Sequence, residues 1–61
     1  PNILAARRSI VAKKHIKIGE LFTSENLVVK RPGSGISPMN WDKVIGTRSP
    51  KEFNKDDLIQ W

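Results

Sequence analysis

Few side chains in this 61-residue chain are equipped for covalent chemistry. His15 stands alone among Lys13, Lys14 and Lys17 and reads as a solvated strand residue rather than a general base. Ser9 has no His or Asp at motif spacing, and no Gly-x-Ser-x-Gly elbow occurs, so its reading is structural. Asp56 and Asp57 are adjacent, which in a turn aims their carboxylates apart and suits capping or solvation better than acid–base work. With no cysteine and one histidine, disulfides, thiolate nucleophiles and Cys- or His-based metal clusters are all excluded, and the cysteine usage fits a reducing compartment. Arg31 precedes a Pro32-Gly33-Ser34-Gly35 run. A guanidinium offers fixed planar donors and keeps its charge at any physiological pH. Pro32 restricts the backbone just after Arg31, while Gly33 and Gly35 let the main chain approach another surface closely. Taken alone, the same residues are a surface arginine ahead of an ordinary turn.

The elements that must position this loop are short. Sixty-one residues make one domain, able to bury roughly 60% of its unfolded surface, so a large catalytic cleft is not expected. Its composition, 38% hydrophobic and 28% charged, is that of a folded domain rather than a disordered tail. No apolar run approaches the roughly 18 residues of a membrane helix, and the first six residues lack the pattern of a signal peptide. A chain opening on Pro1 reads as a fragment of something longer. Residues 1–31 carry seven Lys/Arg against two Asp/Glu, whereas residues 32–61 carry four against four, so the net charge of +5 lies in the first half. That bias suits nucleic acid, an acidic partner domain or an anionic substrate, and equally a solvated lysine-rich surface.

Ile10, Ala12, Ile16 and Ile18 share one parity and Lys13, His15 and Lys17 the other, which predicts extended chain over residues 9–18 with one buried face, interrupted at Lys14. A turn at Gly19-Glu20 leads to Thr23, the expected N-cap of a single helical turn, and residues 27–31 form a second strand. Residues 32–35 can only be loop. Ser37 as N-cap, Pro38 at the first helical position, Trp41, Val44 and Ile45 on one face, and Gly46 as the left-handed terminator predict a helix of about two turns, with Trp41 in the core rather than a sugar-stacking platform. The remainder reads as short irregular elements ending on Trp61, which cannot be assigned a role from its position. One internal echo stands out: residues 16–22 and 53–59 each run apolar residue, polar turn, apolar pair, and could pack about a pseudo-twofold axis.

Arg8-Ser9-Ile10-Val11-Ala12, Ile16-Lys17-Ile18-Gly19-Glu20 with Thr23, Asn26 and Leu27, and Lys30-Arg31-Pro32-Gly33-Ser34-Gly35-Ile36 with Pro38 and Gly46 together resemble the C-terminal antifreeze-like (SAF) domain of bacterial sialic acid (nonulosonate) synthases. The resemblance covers nearly the whole chain. Its most specific part is the Arg31-Pro32-Gly33-x-Gly35-Ile36-x-Pro38 run, and it departs at Asp56, where the family commonly has glycine. It implies a small, mostly-β and irregular pretzel-like fold (antifreeze type, β-clip) of short strands and single-turn helices. Residues 1–7 would end a linker from a missing TIM barrel, and residues 8–61 would form the domain. It further implies a cytoplasmic transferase that condenses phosphoenolpyruvate with an N-acetylated amino sugar, using a divalent metal (Mn or Mg) held in that barrel. The domain itself would carry neither cofactor nor catalytic residue and would be inactive alone. In the domain-swapped homodimer of that family it covers the partner subunit's barrel, and the arginine matching Arg31 reaches the sugar's N-acetyl group, with Pro32, Gly33 and Gly35 shaping the substrate loop.

Two other classes were weighed. Type III antifreeze proteins share the fold, but the face they keep flat and weakly polar would here carry Lys13, Lys14, His15 and Glu20, whose strong hydration does not suit ice. A stand-alone basic module for nucleic acid lacks interleaved exposed aromatics and a basic recognition helix. Neither nucleic acid nor membrane is therefore an expected partner.

Overall fold

The computed structural model describes residues 7–31 and 33–61. The expected linker end therefore lies, Arg7 apart, outside the described residues, as does Pro32. Two strands pair antiparallel, β1 (Ser9–Ala12) with β2 (Leu27–Lys30), in the register Ser9↔Lys30 to Ala12↔Leu27. Apart from a 3-10 turn (Pro38–Asn40) and a one-turn helix, α1 (Trp41–Val44), the rest is irregular chain tied by single bridges. Both predicted signals for this helical pair act as read: the Ser37 side chain accepts from Met39 N, and Gly46 closes the segment at φ +88°. At residues 23–26 a single turn forms, with Thr23 Oγ1 accepting from Glu25 N at 3.2 Å.

Period-two alternation predicted one buried face for residues 9–18, and the structure corrects this twice. Every residue of β1 is buried, Val11 included, because β2 lies along one edge and the C-terminal segment along the other. That second edge is closed by Ala12 N→Asp57 O at 2.9 Å and Ile59 N→Ile10 O at 3.1 Å. Ile18, expected inside, is 70% exposed, since Glu20 N→Lys17 O closes a turn that carries Ile18 to its outer corner. The second strand stops at Lys30, which leaves Arg31 in a bend just beyond it.

The core gathers Ile10, Ala12, Ile16, Phe22, Leu27, Val44, Phe53 and Ile59, with Trp41 packed against it as expected. Phe22 and Phe53 meet tilted, their centroids 6.2 Å apart.

The internal echo is real and longer than the sequence suggested. Ile16 and Phe53 exchange both backbone hydrogen bonds at 2.9 Å, a reciprocity that places them on a pseudo-twofold axis. Beside them His15 Nε2 lies 2.6 Å from Glu52 Oε2, the two being 37 residues apart. At that same offset, Gly19 N→Ser49 O matches Asp56 N→Ala12 O, and Phe22 N→Thr47 O matches Ile59 N→Ile10 O. Likewise Lys17 N→Glu20 Oε1 matches Asn54 N→Asp57 Oδ2. Residues 10–22 and 47–59 are thus two copies of one backbone arm, clasped by each other's apolar ends.

Candidate functional site

The loop after β2 is bolted to the start of β1. Ser9, fully buried, accepts from Gly35 N through its Oγ at 2.9 Å, and Ile10 N donates to Ile36 O at 3.0 Å. A Cβ at Gly35 would sit 3.0 Å from Leu58 Cδ2 and 3.2 Å from Ser9 Cβ. At Gly33 it would fall 2.1 Å from Arg7 Cβ, which no side chain can occupy without moving that residue. Both glycines are therefore demanded by space. The surface they approach closely is the chain's own β1 end.

This close packing leaves a concavity of about 420 Å³ between Arg7 and Arg8 on one side and Gly33, Gly35 and residues 37–39 on the other. Arg7, Arg8 and Met39 are exposed around it. The structure thus brings Gly33 and Gly35 together in one cleft. Arg31 stands exposed at the end of β2, outside the described lining of that cleft. Arg7 and Arg8 escaped the sequence reading, where Arg7 was assigned to a linker. The signal available was an arginine pair immediately before a fully apolar strand, in the half that carries the net charge.

The other predicted polar residues are used internally. Asp57 accepts from Asn54 N at 2.8 Å, which closes a turn where the sequence suggested helix capping or solvation. Asp56 adopts φ +72°, the left-handed conformation of its counterpart Gly19 (φ +82°), so the departure from the family's glycine leaves the turn intact. Its carboxylate takes Lys30 Nζ at 2.8 Å, and that hydrogen bond holds its pKa below the ordinary aspartate range. Glu20 is lowered likewise, first by the Lys17 backbone N–H and then by the Asn26 side chain. In a second concavity, beside Lys14, Glu20, Thr23 and Arg48, Glu20 accepts from Lys17 N, Asn26 Nδ2 donates to Glu20 Oε2 and Leu21 O, and Arg48 Nη1 donates to Gly19 O. Among the described residues no group of three or more His, Cys, Asp or Glu could hold a metal, and no helix is long and apolar enough to cross a membrane.

A sequence model of the SAF domain matches residues 7–61. The chain belongs to the SAF domain family. The short antiparallel strands, single-turn helices and irregular chain are the fold that the resemblance implied. This SAF domain is 46% identical, over 97% of its length, to the N,N'-diacetyllegionaminic acid synthase of Campylobacter jejuni. It is 34% identical, over 87% of its length, to the pseudaminic acid synthase of the same organism. It is also 29% identical, over 90%, to the N,N'-diacetyllegionaminic acid synthase of Legionella pneumophila. It spans less than a fifth of these relatives, 18%, 16% and 15% of each in turn. Among the described residues, the cleft is rimmed by the exposed Arg7 and Arg8, neither with a hydrogen bond or ion pair, and Arg31 is exposed at the end of β2. Such groups bind and orient.

Proposed function

We propose that this SAF domain is the substrate-covering part of a nonulosonate synthase, a transferase condensing phosphoenolpyruvate with an N-acetylated amino sugar in the cytoplasm. The similarity to named legionaminic and pseudaminic acid synthases over nearly the whole chain carries the reading. The bond-forming chemistry would belong to a TIM barrel outside this chain, with a divalent metal (Mn or Mg) and the phosphoenolpyruvate ligands. The donor set of the described residues does not fit a metal.

The role of the domain is positional. In a domain-swapped homodimer it would close over the partner subunit's barrel and present Arg31 to the sugar's N-acetyl oxygen. Two features support this. Arg31 has no ion pair among the described residues and is exposed. Its loop is also anchored at Gly35, four residues further on, to the buried Ser9. Closing the site would exclude water and fix the acyl group before condensation.

The reading is tested with manganese, phosphoenolpyruvate and N-acetylmannosamine or its diacetylated analogues. The full-length parent should turn over, these 61 residues alone should be silent, and a parent truncated before residue 8 should lose turnover while still binding phosphoenolpyruvate. Turnover by the isolated chain, or full activity of the truncated parent, contradicts it.

A further inference from the structure

Three arginines lie at one end of the β1–β2 ladder. Ser9 faces Lys30, so the next residues outward are Arg8 on one strand and Arg31 on the other, with Arg7 pressed against Gly33. Like charges set across an antiparallel pair are destabilising. Acidic neighbours would relieve them, but neither Arg7 nor Arg8 has a hydrogen bond or ion pair among the described residues. Asp56, the carboxylate that reaches the β2 end, is already taken by Lys30. The opposite wall of the cleft adds a neutral donor: Ser37 Oγ accepts from Met39 N at 3.2 Å, which leaves its O–H to give. A volume of about 420 Å³ is of small-molecule size.

We propose that this cleft binds a small oxyanion, a carboxylate or phosphate group, with Arg7 and Arg8 as its cationic wall and the Ser37 hydroxyl as a further donor. Guanidinium forks match both groups by paired, charge-assisted hydrogen bonds. Gly33 belongs to the same device, because any side chain there would displace Arg7 from the wall. The site is separate from the Arg31 contact to an acyl oxygen and stands whether or not the parent is a synthase.

The test is a titration of the isotopically labelled 61-residue chain with sodium phosphate, and in a second arm with sodium acetate, each against sodium chloride at equal ionic strength and pH. The amides of Gly33, Gly35 and Met39 should shift saturably beyond the chloride control, and the two arms distinguish phosphate from carboxylate. Arg7→Gln and Arg8→Gln should each weaken binding about tenfold, and the Lys replacements less. Both side chains are exposed, so the variants should keep the wild-type amide dispersion elsewhere. Shifts no larger than chloride's would overturn the proposal in favour of an acidic surface on a neighbouring domain as the occupant. Saturable binding unchanged in both Gln variants would overturn it too.

Discussion

The two backbone arms, residues 10–22 and 47–59, follow nearly the same hydrogen-bonding path with largely different side chains, and the likeness stops where the arms end. At the shared axis Ile16 meets Phe53 and His15 meets Glu52. At the turns, Gly19 and Asp56 hold the same left-handed backbone, one freely and one with a Lys30 partner. Ahead of the arms the likeness ends. The offset of 37 residues that relates the copies puts Arg7 and Arg8 opposite Val44 and Ile45, buried and half-buried beside the core. One copy is entered from a core helix and the other from an exposed cationic pair. The arms make a clasp, and the two proposed binding regions lie where the symmetry breaks: before β1 and in the loop after β2.

The largest expected effect comes from breaking the axis. Phe53 is 1% exposed, packs on Phe22 and pairs reciprocally with Ile16, so Phe53→Ala should cost about 3–5 kcal/mol, enough to unfold much of so small a domain. Calorimetry or circular dichroism melting of the variant would show it. A loss under 1 kcal/mol would mean that the arms do not depend on each other.

Next is the joint between clasp and loop. Gly35→Ala would drive a methyl toward Leu58 and Ser9 and strain the Gly35 N→Ser9 Oγ bond. We expect about 1–3 kcal/mol of destabilisation, with amide shifts spreading to Gly33 and Arg31. Unaltered melting and spectra would show the loop free of β1.

Much of this architecture is legible in the sequence where the cause is local. Ser37 with Pro38 starts a helical turn, Gly46 ends one, and two glycines in four residues enforce a loop, because capping and backbone sterics act within a few residues. The arms were half-legible: an apolar–turn–apolar pattern survives in both, but the register that clasps them joins residues 37 apart and no local rule encodes it. The same distance hid the two-sided burial of Val11, whereas Ile18 is exposed by a local turn that strict alternation does not foresee. It hid Arg7 and Arg8 as well, which become a site only when residues 33–39 fold back on them. Trp61 is 56% exposed, and among the described residues it makes no hydrogen bond or ring contact.

The smallest effect sharpens the comparison of the two turns. Replacing Asp56 by Gly removes a non-glycine residue from a left-handed position but also the exposed Lys30 pair, so the melting midpoint at neutral pH should stay near the wild type's or rise. The pH dependence has a definite sign. A carboxyl whose folded pKa is lowered contributes stability above its ordinary range and loses it as pH falls through the folded value. Wild type should therefore lose ground to Asp56→Gly on acidification. A gap that stays constant with pH would mean the Lys30 contact contributes nothing.

The central claim, that the loop and not the clasp carries the function, is tested most directly by steady-state kinetics of the full-length parent. Arg31→Ala should lower kcat/KM for the amino sugar by about one to two orders of magnitude, the loss of a charge-assisted hydrogen bond of roughly 1.5–3 kcal/mol, with phosphoenolpyruvate binding less affected. Arg31→Lys should recover only part, and the melting midpoint should hold because the side chain is exposed. Substitution of His15 by Gln, on the axis of the clasp, should leave the sugar kinetics unchanged. Wild-type sugar kinetics in Arg31→Ala, or a deficit accounted for wholly by unfolding, would contradict the account.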